Sequence, residues 1–285
     1  RSYSVTGVQT CALPISRAVI DGVGIEYQSV EDGKETVFLL NGIAMSISHW
    51  KPVAERLVAA GYRVVAHDFR GQLLSDRPAA PYSLGMHARD LAGLMKELGV
   101  GRAHIVGTSY GAEVALTFAL AYPAMCASVT SIDGVSEYDA VLGAAVESWK
   151  AAALSDPRVF YKAILPWNYS PEYLAANREM LAKREDAIAS LPRDWFEAFA
   201  RLCDAFLEID LTKDLGGIEC PALVLVATRD ILKHHAYSRM IACRIPGARY
   251  EEIPDAGHAV VIEKPAAVSD SLLGFLGSIT GNKAG

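Results

Sequence analysis

One serine lies between two glycines in the run "VGTSYGAE", where Gly107, Ser109 and Gly111 form the pattern Gly-x-Ser-x-Gly. A nucleophilic serine in this pattern sits on a tight turn that follows a strand and opens a helix, and its neighbours must be small. "RAHIVGT" before Ser109 is typical of a strand, and "YGAEVALTFALAYP" after it is typical of a helix that ends at Pro123. We therefore predict Ser109 as a nucleophile. The alternative is a glycine-rich turn without a catalytic role.

A serine hydroxyl is a weak nucleophile, so a base must take its proton and an acid must orient that base. "ALVLVATRD" ends a predicted strand at Asp230, and "EEIPDAGHAV" places His258 just after another. The order Ser, Asp, His, with each residue after a strand at one sheet edge, is typical of one class of hydrolase. We predict His258 as the base and Asp230 as the acid. Asp133, in "SIDG" at the end of the intervening strand, is the alternative acid, since Asp230 could instead cap the following helix.

Attack on a carbonyl also requires two backbone N–H groups that stabilise the developing oxyanion. Tyr110, which follows the serine, supplies one of them in this arrangement. The other should come from the loop "NGIAMS" after the run "VFLL", where the amide of Ile43 is the first choice and that of Ala44 the second.

The predicted elements would bring these residues to one edge of a sheet. From Arg17 onward, short β-rich runs alternate with helical patterns, which calls for parallel strands joined by crossovers with helices on both faces. The apolar runs "VFLL" and "ALVLVA" suit strands buried on both faces. The predicted fold class is α/β, with a doubly wound, mostly parallel sheet. "AVIDGVGIEYQSV" and "ETVFLLNG" are predicted as an antiparallel entry with a turn at residues 31–34.

The alternation of strands and helices stops in the middle of the chain. We predict a helical cap or lid over residues 135–215, inserted into a core formed by residues 16–134 and 216–285. Prolines divide the insertion into about four helices. Its aromatic residues are Trp149, Phe160, Tyr161, Trp167, Tyr169, Tyr173, Trp195, Phe196, Phe199 and Phe206. Most of these should form the small core of the insertion.

A substrate pocket is predicted where this insertion covers the edge of the sheet. The residues that we expect to line it are Asn41, Gly42 and Ala44 from the loop and Trp149 and Trp167 from the insertion. Apolar and aromatic walls suit a small apolar or aromatic substrate better than a polymer or a charged sugar.

The cysteines and the remaining histidines show no metal-binding spacing. The five cysteines form no Cys-x-x-Cys pair, so we expect free thiols in a reducing, cytoplasmic compartment and propose no metal and no cofactor. They are Cys11, Cys126, Cys203, Cys220 and Cys243. The other histidines are predicted to be structural or solvated, and these are His49, His67, His87, His104, His234 and His235.

Composition limits the class of partner. The 285 residues are 51% hydrophobic and 21% charged, as in a folded globular protein of one large or two small domains. The net charge of -6 disfavours nucleic acid and anionic membranes, and no apolar run reaches the about 20 residues that a spanning helix requires. We predict a small-molecule partner and leave monomer and homodimer open.

The first 15 residues do not follow the pattern of the rest. "VTGVQTCALPI" has neither strand nor helix periodicity and looks like a common sequencing-adapter oligonucleotide translated in frame. We predict that residues 1–15 are a disordered cloning or assembly scar and that the natural sequence begins near Ser16. A signal peptide is disfavoured because Gln9, Thr10 and Pro14 interrupt the apolar stretch.

Together these motifs resemble the α/β-hydrolase superfamily, in its small cap-bearing branch. The resemblance runs from about Ile20 to Ile279 and includes "HDFRGQLLSDRP", "CPALVLVATRD" and "DAGHAVVIEKP". Three positions depart from the family pattern: Asn41 precedes Gly42 where most members have histidine, while Leu73 and Ala112 each replace a glycine. None of these departures removes a predicted catalytic group.

The resemblance implies an α/β-hydrolase fold and a serine hydrolase that forms an acyl-enzyme. A serine nucleophile argues against dehalogenases and epoxide hydrolases, which use aspartate. Carboxylesterase activity on a small apolar or aromatic ester requires the least additional machinery and is our prediction. An enol-lactonase type of activity and C–C bond hydrolysis use the same residues and remain alternatives. So do a ligand-sensing receptor with little turnover, a cofactor-free oxygenase and a perhydrolase.

Overall fold

Eight strands form one sheet in the computed structural model, which describes residues 15–30, 33 and 35–281. They are β1 (Ser16–Ile20), β2 (Val23–Val30), β3 (Thr36–Leu40), β4 (Arg63–His67), β5 (Ala103–Thr108), β6 (Cys126–Ile132), β7 (Ala222–Ala227) and β8 (Arg249–Ile253). Their order across the sheet is β1-β2-β4-β3-β5-β6-β7-β8. Strand β2 is antiparallel to both its neighbours, and all other neighbouring strands are parallel.

The N-terminal strands differ from the sequence prediction. Asp21 and Gly22 both have positive φ, 49° and 79°, as in the two-residue turn that closes tight hairpins. This Asp-Gly turn splits the predicted first strand into β1 and β2. The antiparallel pairing predicted for β2 with β3 is wrong, because β2 pairs with β4 while β3 lies between β4 and β5. The turn predicted at residues 31–34 lies outside the described residues, apart from Gly33.

Helices cover both faces of the sheet, which confirms the doubly wound architecture. Those of the core are α1 (Lys51–Ala59), α2 (Leu84–Glu97), α3 (Tyr110–Ala121), α9 (His235–Arg244), α10 (Val260–Glu263) and α11 (Pro265–Gly281). Along β3, Phe38 and Leu40 pack into the core cluster that includes α2 and α3, while Val37 and Leu39 pack into the cluster with α1 and α11. All four side chains are fully buried, as expected of a central parallel strand.

A helical insertion lies between β6 and β7. Its helices are α4 (Ala140–Ser155), α5 (Pro157–Asn168), α6 (Pro171–Ala176), α7 (Arg178–Ala189) and α8 (Arg193–Leu207). The side chains of Asp139, Asp156 and Ser170 cap α4, α5 and α6 by accepting backbone N–H bonds. The insertion therefore has five helices rather than about four, and Pro166 lies inside α5 rather than between helices. The limits 135–215 of the predicted cap remain a prediction.

The insertion has its own aromatic core. Phe160 of α5 packs against Trp195, Phe196 and Phe199 of α8, with ring centroids 4.7 to 6.2 Å apart. This cluster continues into the core on one face of the sheet, so the insertion rests directly on the elements that carry the candidate site. Within the described ranges, no helix is long and apolar enough to cross a membrane.

Candidate active site

Ser109 occupies the turn between β5 and α3. Its backbone has φ 53° and ψ −119°, a strained conformation for a residue with a side chain. A Cβ added at Gly107 would lie 1.9 Å from the carbonyl oxygen of Gly111, and one added at Gly111 would lie 2.3 Å from that of Leu40. Both glycines are therefore required by the close approach of strand, turn and helix.

His258 lies between Ser109 and Asp230. Its Nε2 is 2.8 Å from Oγ of Ser109, and its Nδ1 is 2.7 Å from Oδ2 of Asp230. The other carboxylate oxygen, Oδ1 of Asp230, accepts the backbone N–H groups of Leu232 and Lys233. Asp230 and His258 are each 5% exposed. The three side chains, carried by the loops after β5, β7 and β8, form a continuous hydrogen-bonded chain that could pass a proton from the serine to the imidazole.

A buried ion pair braces the loop that carries Asp230. Nζ of Lys233 lies 3.0 and 2.9 Å from the two carboxylate oxygens of Glu113, and both residues are almost completely buried. Glu113 belongs to the first turn of α3, directly after Ser109, and also accepts the N–H of Val135. The pair therefore connects the acid loop to the helix that begins at the serine.

Asp133 lies close to the hydrogen-bonded side chains of Ser109, His258 and Asp230 but has different hydrogen-bond partners. Its Oδ1 accepts the N–H of Ala227 at 2.8 Å, while its Oδ2 is buried and has no partner among the described residues. Complete burial and then the neighbouring charge of Asp230 raise the pKa of Asp133 well above its ordinary value. Since Nδ1 of His258 bonds to Asp230, the geometry favours Asp230 over Asp133 as the orienting acid.

Asp133, Asp230 and His258 also form the one group of three potential metal ligands in the described part of the chain. Their ligand atoms lie within 4.8 Å of one another. However, Asp230 and His258 are already bonded to each other, and a shared metal ion would have to replace that bond. The arrangement therefore fits a proton-transfer site better than a metal site.

The loop after β3 approaches the serine closely. Met45 N–H bonds to the carbonyl oxygen of Gly42 at 3.1 Å, which places Ile43 and Ala44 at the centre of a tight turn. A Cβ at Gly42 would lie 3.4 Å from Cβ of Ser109. Within the described residues, the amides of Ile43 and Tyr110 form no hydrogen bond, and Tyr110 is the first residue of its helix, where backbone donors are free. Both remain available to an oxyanion.

Asn41 supports this loop from behind and does not line the cavity, contrary to our expectation. Its Nδ2 donates to Asp68 at 2.8 Å and to Gln72 at 3.2 Å, and its Oδ1 accepts the indole N–H of Trp50 at 3.0 Å. Nε2 of Gln72 in turn donates to the carbonyl oxygens of Gly42 and, at 3.1 Å, Ile43. Sequence reasoning missed Gln72, because its position in "RGQLLS" indicates a loop and not its partners.

A cavity of about 240 Å³ opens above Ser109. Its lining includes Gly42, Ala44 and Trp149 as predicted, but not Trp167, which packs partly buried against the core. The residues of α5 that line the cavity are instead Ile164, Leu165 and Asn168, together with Tyr161. Most of the lining side chains are apolar.

A small polar group also lines this cavity. Arg184 of α7 donates to the hydroxyl of Tyr169 at 2.6 Å and to Nε2 of His49 at 2.7 Å. Burial, followed by the charge of Arg184, lowers the pKa of His49 to about 4. His49 was predicted as structural or solvated, and the structure instead places it in the cavity wall. The sequence alone could not indicate this, since His49 and Arg184 are 135 residues apart.

The other histidines that we predicted to be structural or solvated are either buried or exposed to solvent, as expected. His67 and His87 are fully buried, His104 is buried beside Ser128, and His234 and His235 are exposed.

Comparison with known proteins is consistent with this geometry. A sequence model of the alpha/beta hydrolase family matches residues 37–271. The chain belongs to the alpha/beta hydrolase family. This alpha/beta hydrolase is 30% identical over 265 residues to a protein of Caulobacter sp. (strain K31) assigned as the carbamate hydrolase RutD, with 90% of the chain and 96% of the relative covered.

Two solved structures are similar over nearly their whole length. The alpha/beta hydrolase MGS-M2 from a Medee basin deep-sea metagenome library superposes with a TM-score of 0.87 at 26% identity, covering 92% of this chain and 97% of its own. The enol-lactonase from Burkholderia xenovorans LB400 superposes with a TM-score of 0.83 at 26% identity, covering 92% and 99%. The family and the hydrolase class follow from these matches.

Proposed function

We propose that this alpha/beta hydrolase is a serine esterase that cleaves a small carboxylic ester with apolar or aromatic groups through an acyl-enzyme. The observation that carries the proposal is the hydrogen-bonded chain from Ser109 through His258 to Asp230, which ends at an apolar cavity of small-molecule size. Such a site supplies a nucleophile, a base and a desolvated environment together.

In the proposed reaction, Ser109 attacks the ester carbonyl carbon while its proton passes to Nε2 of His258. The amides of Tyr110 and Ile43 stabilise the oxyanion, and Asp230 stabilises the imidazolium. His258 then gives its proton to the departing alkoxide, which leaves as the alcohol and forms the acyl-enzyme. A water molecule, deprotonated by His258, attacks the acyl carbon and releases the acid and free Ser109.

A lactonase is the second candidate. It is favoured by the similarity to an enol-lactonase over 99% of that chain. The same steps would open a lactone, with the alcohol tethered to the acyl group. Because relatives are also assigned as carbamate hydrolases, a panel of p-nitrophenyl esters, lactones and carbamates of equal size is the discriminating measurement.

Fluorophosphonate labelling with peptide mapping tests the central step. We expect the label on Ser109, and we expect Ser109→Ala to lose both labelling and ester hydrolysis. Ser155→Ala, at the exposed end of α4, is the matched control and should keep both. Label on another residue, or full hydrolysis by Ser109→Ala, would overturn the proposal. Labelling of Ser109 without turnover of any ester, lactone or carbamate would indicate the sensor class instead.

A further inference from the structure

Arg184 is an unusual residue for a cavity with mostly apolar walls. It lines the same cavity as Ser109, and no carboxylate of the described residues lies within salt-bridge distance of its guanidinium. Its two hydrogen-bond partners among the described residues, the hydroxyl of Tyr169 and Nε2 of His49, carry no negative charge. A guanidinium has five N–H donors, so three of them remain without an acceptor from these residues.

The acidic residues of α7 do not compensate this charge, because each pairs with another cation. Glu179 bonds to Lys183, Glu185 lies near Arg158 and Lys162, and Asp186 pairs with Arg158. Glu263, which comes near Tyr169 in space, is bonded to Ser170 and to the N–H of Gly257. The positive charge of Arg184 thus stays directed at the cavity.

The neighbours of Arg184 also fix its orientation. His49 acts as a hydrogen-bond acceptor in its neutral form, which agrees with its lowered pKa of about 4. Tyr169 stacks on Tyr173 with ring centroids 4.9 Å apart and interplanar angle 12°, so its hydroxyl is held in place. A guanidinium fixed at two of its nitrogens with further donors free is suited to a carboxylate, which it can bind through two parallel bonds.

We propose that Arg184 binds a carboxylate on the substrate, so that the preferred substrate is a small ester or lactone that carries a free acid group away from the bond that is cleaved. This inference rests on the proposed function and deepens it. It also modifies the expectation of a wholly apolar substrate: apolar walls hold the body of the molecule, and Arg184 selects its charged end.

Matched substrates test the proposal. Mono-p-nitrophenyl glutarate and p-nitrophenyl pentanoate differ by a carboxylate in place of a terminal methyl on the acyl side. In the second pair, 4-acetoxybenzoate carries a carboxylate on its alcohol side, and phenyl acetate is its neutral counterpart. A charge-assisted hydrogen bond contributes about 1.5–3 kcal/mol, so we expect kcat/KM to favour the acid of at least one pair by about 10–100-fold. In Arg184→Met this ratio should fall towards one, and in Arg184→Lys it should fall only in part.

Lys183→Met is the matched control. Lys183 is exposed on the same helix and pairs with Glu179, so its loss should leave the ratio unchanged. A purely structural role of Arg184 would lower activity on both members of a pair equally and leave the ratio intact, which would overturn the proposal. Equal kcat/KM for the charged and the neutral member of both pairs in the unmodified protein would overturn it as well.

Failure of the inference can be separated from failure of the proposed function. If neutral esters are hydrolysed and Ser109→Ala abolishes this hydrolysis, the proposed esterase function stands, whatever the ratio of kcat/KM within a substrate pair. Binding supplies an independent measure. In calorimetry, glutarate should bind to Ser109→Ala at least about 10-fold more tightly than to Ser109→Ala/Arg184→Met. Equal binding to both variants would count against Arg184 as the carboxylate site.

Discussion

At the scale of single atoms, the geometry favours Asp230 as the acid of the candidate triad. Asp230 and Asp133 both lie near His258, but only Asp230 has an oxygen 2.7 Å from Nδ1 of the imidazole. Burial and the neighbouring charge of Asp230 raise the pKa of Asp133, and its Oδ1 accepts the N–H of Ala227 instead of a hydrogen bond from the imidazole. The two carboxyl groups therefore form different hydrogen bonds, although the sequence places each after a strand of the same sheet.

We expect Asp230→Asn to lower kcat on the order of 10³–10⁴-fold, because an amide cannot hold the imidazole in its productive tautomer or stabilise the imidazolium. Asp133→Asn should cost less than about 10-fold, since Nδ1 of His258 bonds to Asp230 and not to Asp133, and an amide oxygen can still accept the N–H of Ala227. Steady-state kinetics on p-nitrophenyl acetate compares them. A larger loss from Asp133→Asn would reverse the assignment.

At the level of elements, the positions of the strand ends could be predicted from the sequence, but the contacts between distant segments could not. The strands that carry Ser109, Asp230 and His258 follow from apolar runs, turn residues and helix lengths, which are local signals. The hairpin turn at Asp21 and Gly22 has a local signal as well, its Asp-Gly pair. The sequence prediction nevertheless gives one long strand there, where the structure has two.

The contacts that could not be foreseen join residues far apart in the chain. Arg184 with His49, Gln72 with the loop at Gly42, and Lys233 with Glu113 are pairs separated by 30 to 135 residues. A polar residue on a predicted helix or loop is most often solvated, so nothing in its type or spacing reveals a distant partner.

The ion pair between Lys233 and Glu113 should stabilise the junction of α3 with the loop after β7. Removing one partner of a buried pair leaves an uncompensated charge, so Lys233→Met should lower the free energy of unfolding by about 3–5 kcal/mol. Adding Glu113→Gln, which can still accept the N–H of Val135, should restore part of this loss. Urea denaturation of the single and double variants measures the coupling.

The exposed pair of Lys183 with Glu179 serves as the reference, and Lys183→Met should change the unfolding free energy by less than about 1 kcal/mol. Additive effects of Lys233→Met and Glu113→Gln would show that the buried pair does not act as a unit.

At the level of the whole molecule, buried histidines make stability depend on pH. Burial lowers the pKa of His67 to about 4 and that of His87 to about 3, and neither ring nitrogen of either residue has a partner in the described part of the chain. In the unfolded chain both titrate near about 6.5. Below that pH the unfolded state binds more protons than the folded state, so stability is lost as pH falls from about 6.5 towards 4 for His67 and 3 for His87.

From pH 7 to pH 5 each histidine should lower the unfolding free energy by about 2 kcal/mol. Asp68 acts in the opposite direction, because burial raises its pKa to about 6 and protonation then favours the folded state. His49, whose pKa is likewise lowered to about 4, adds a similar loss. His67→Leu/His87→Leu should therefore remove the larger part of the acid-induced loss but not all of it, measured by urea denaturation at the two pH values. His235→Gln, an exposed site, should keep it. An unchanged pH dependence in the double variant would show that other groups cause the loss.

The insertion between β6 and β7 separates the predicted nucleophile from its partners along the chain, and His258 lies 149 residues after Ser109. During synthesis the elbow, its glycines and α3 can therefore form long before the base exists. Contacts of such long sequence separation are costly to close and form late in folding. A nascent or C-terminally shortened chain would hold Ser109 without a base to activate it. The capacity to cleave a substrate would then arise only when β8 joins the edge of the sheet, so that hydrolysis reports the completion of the fold.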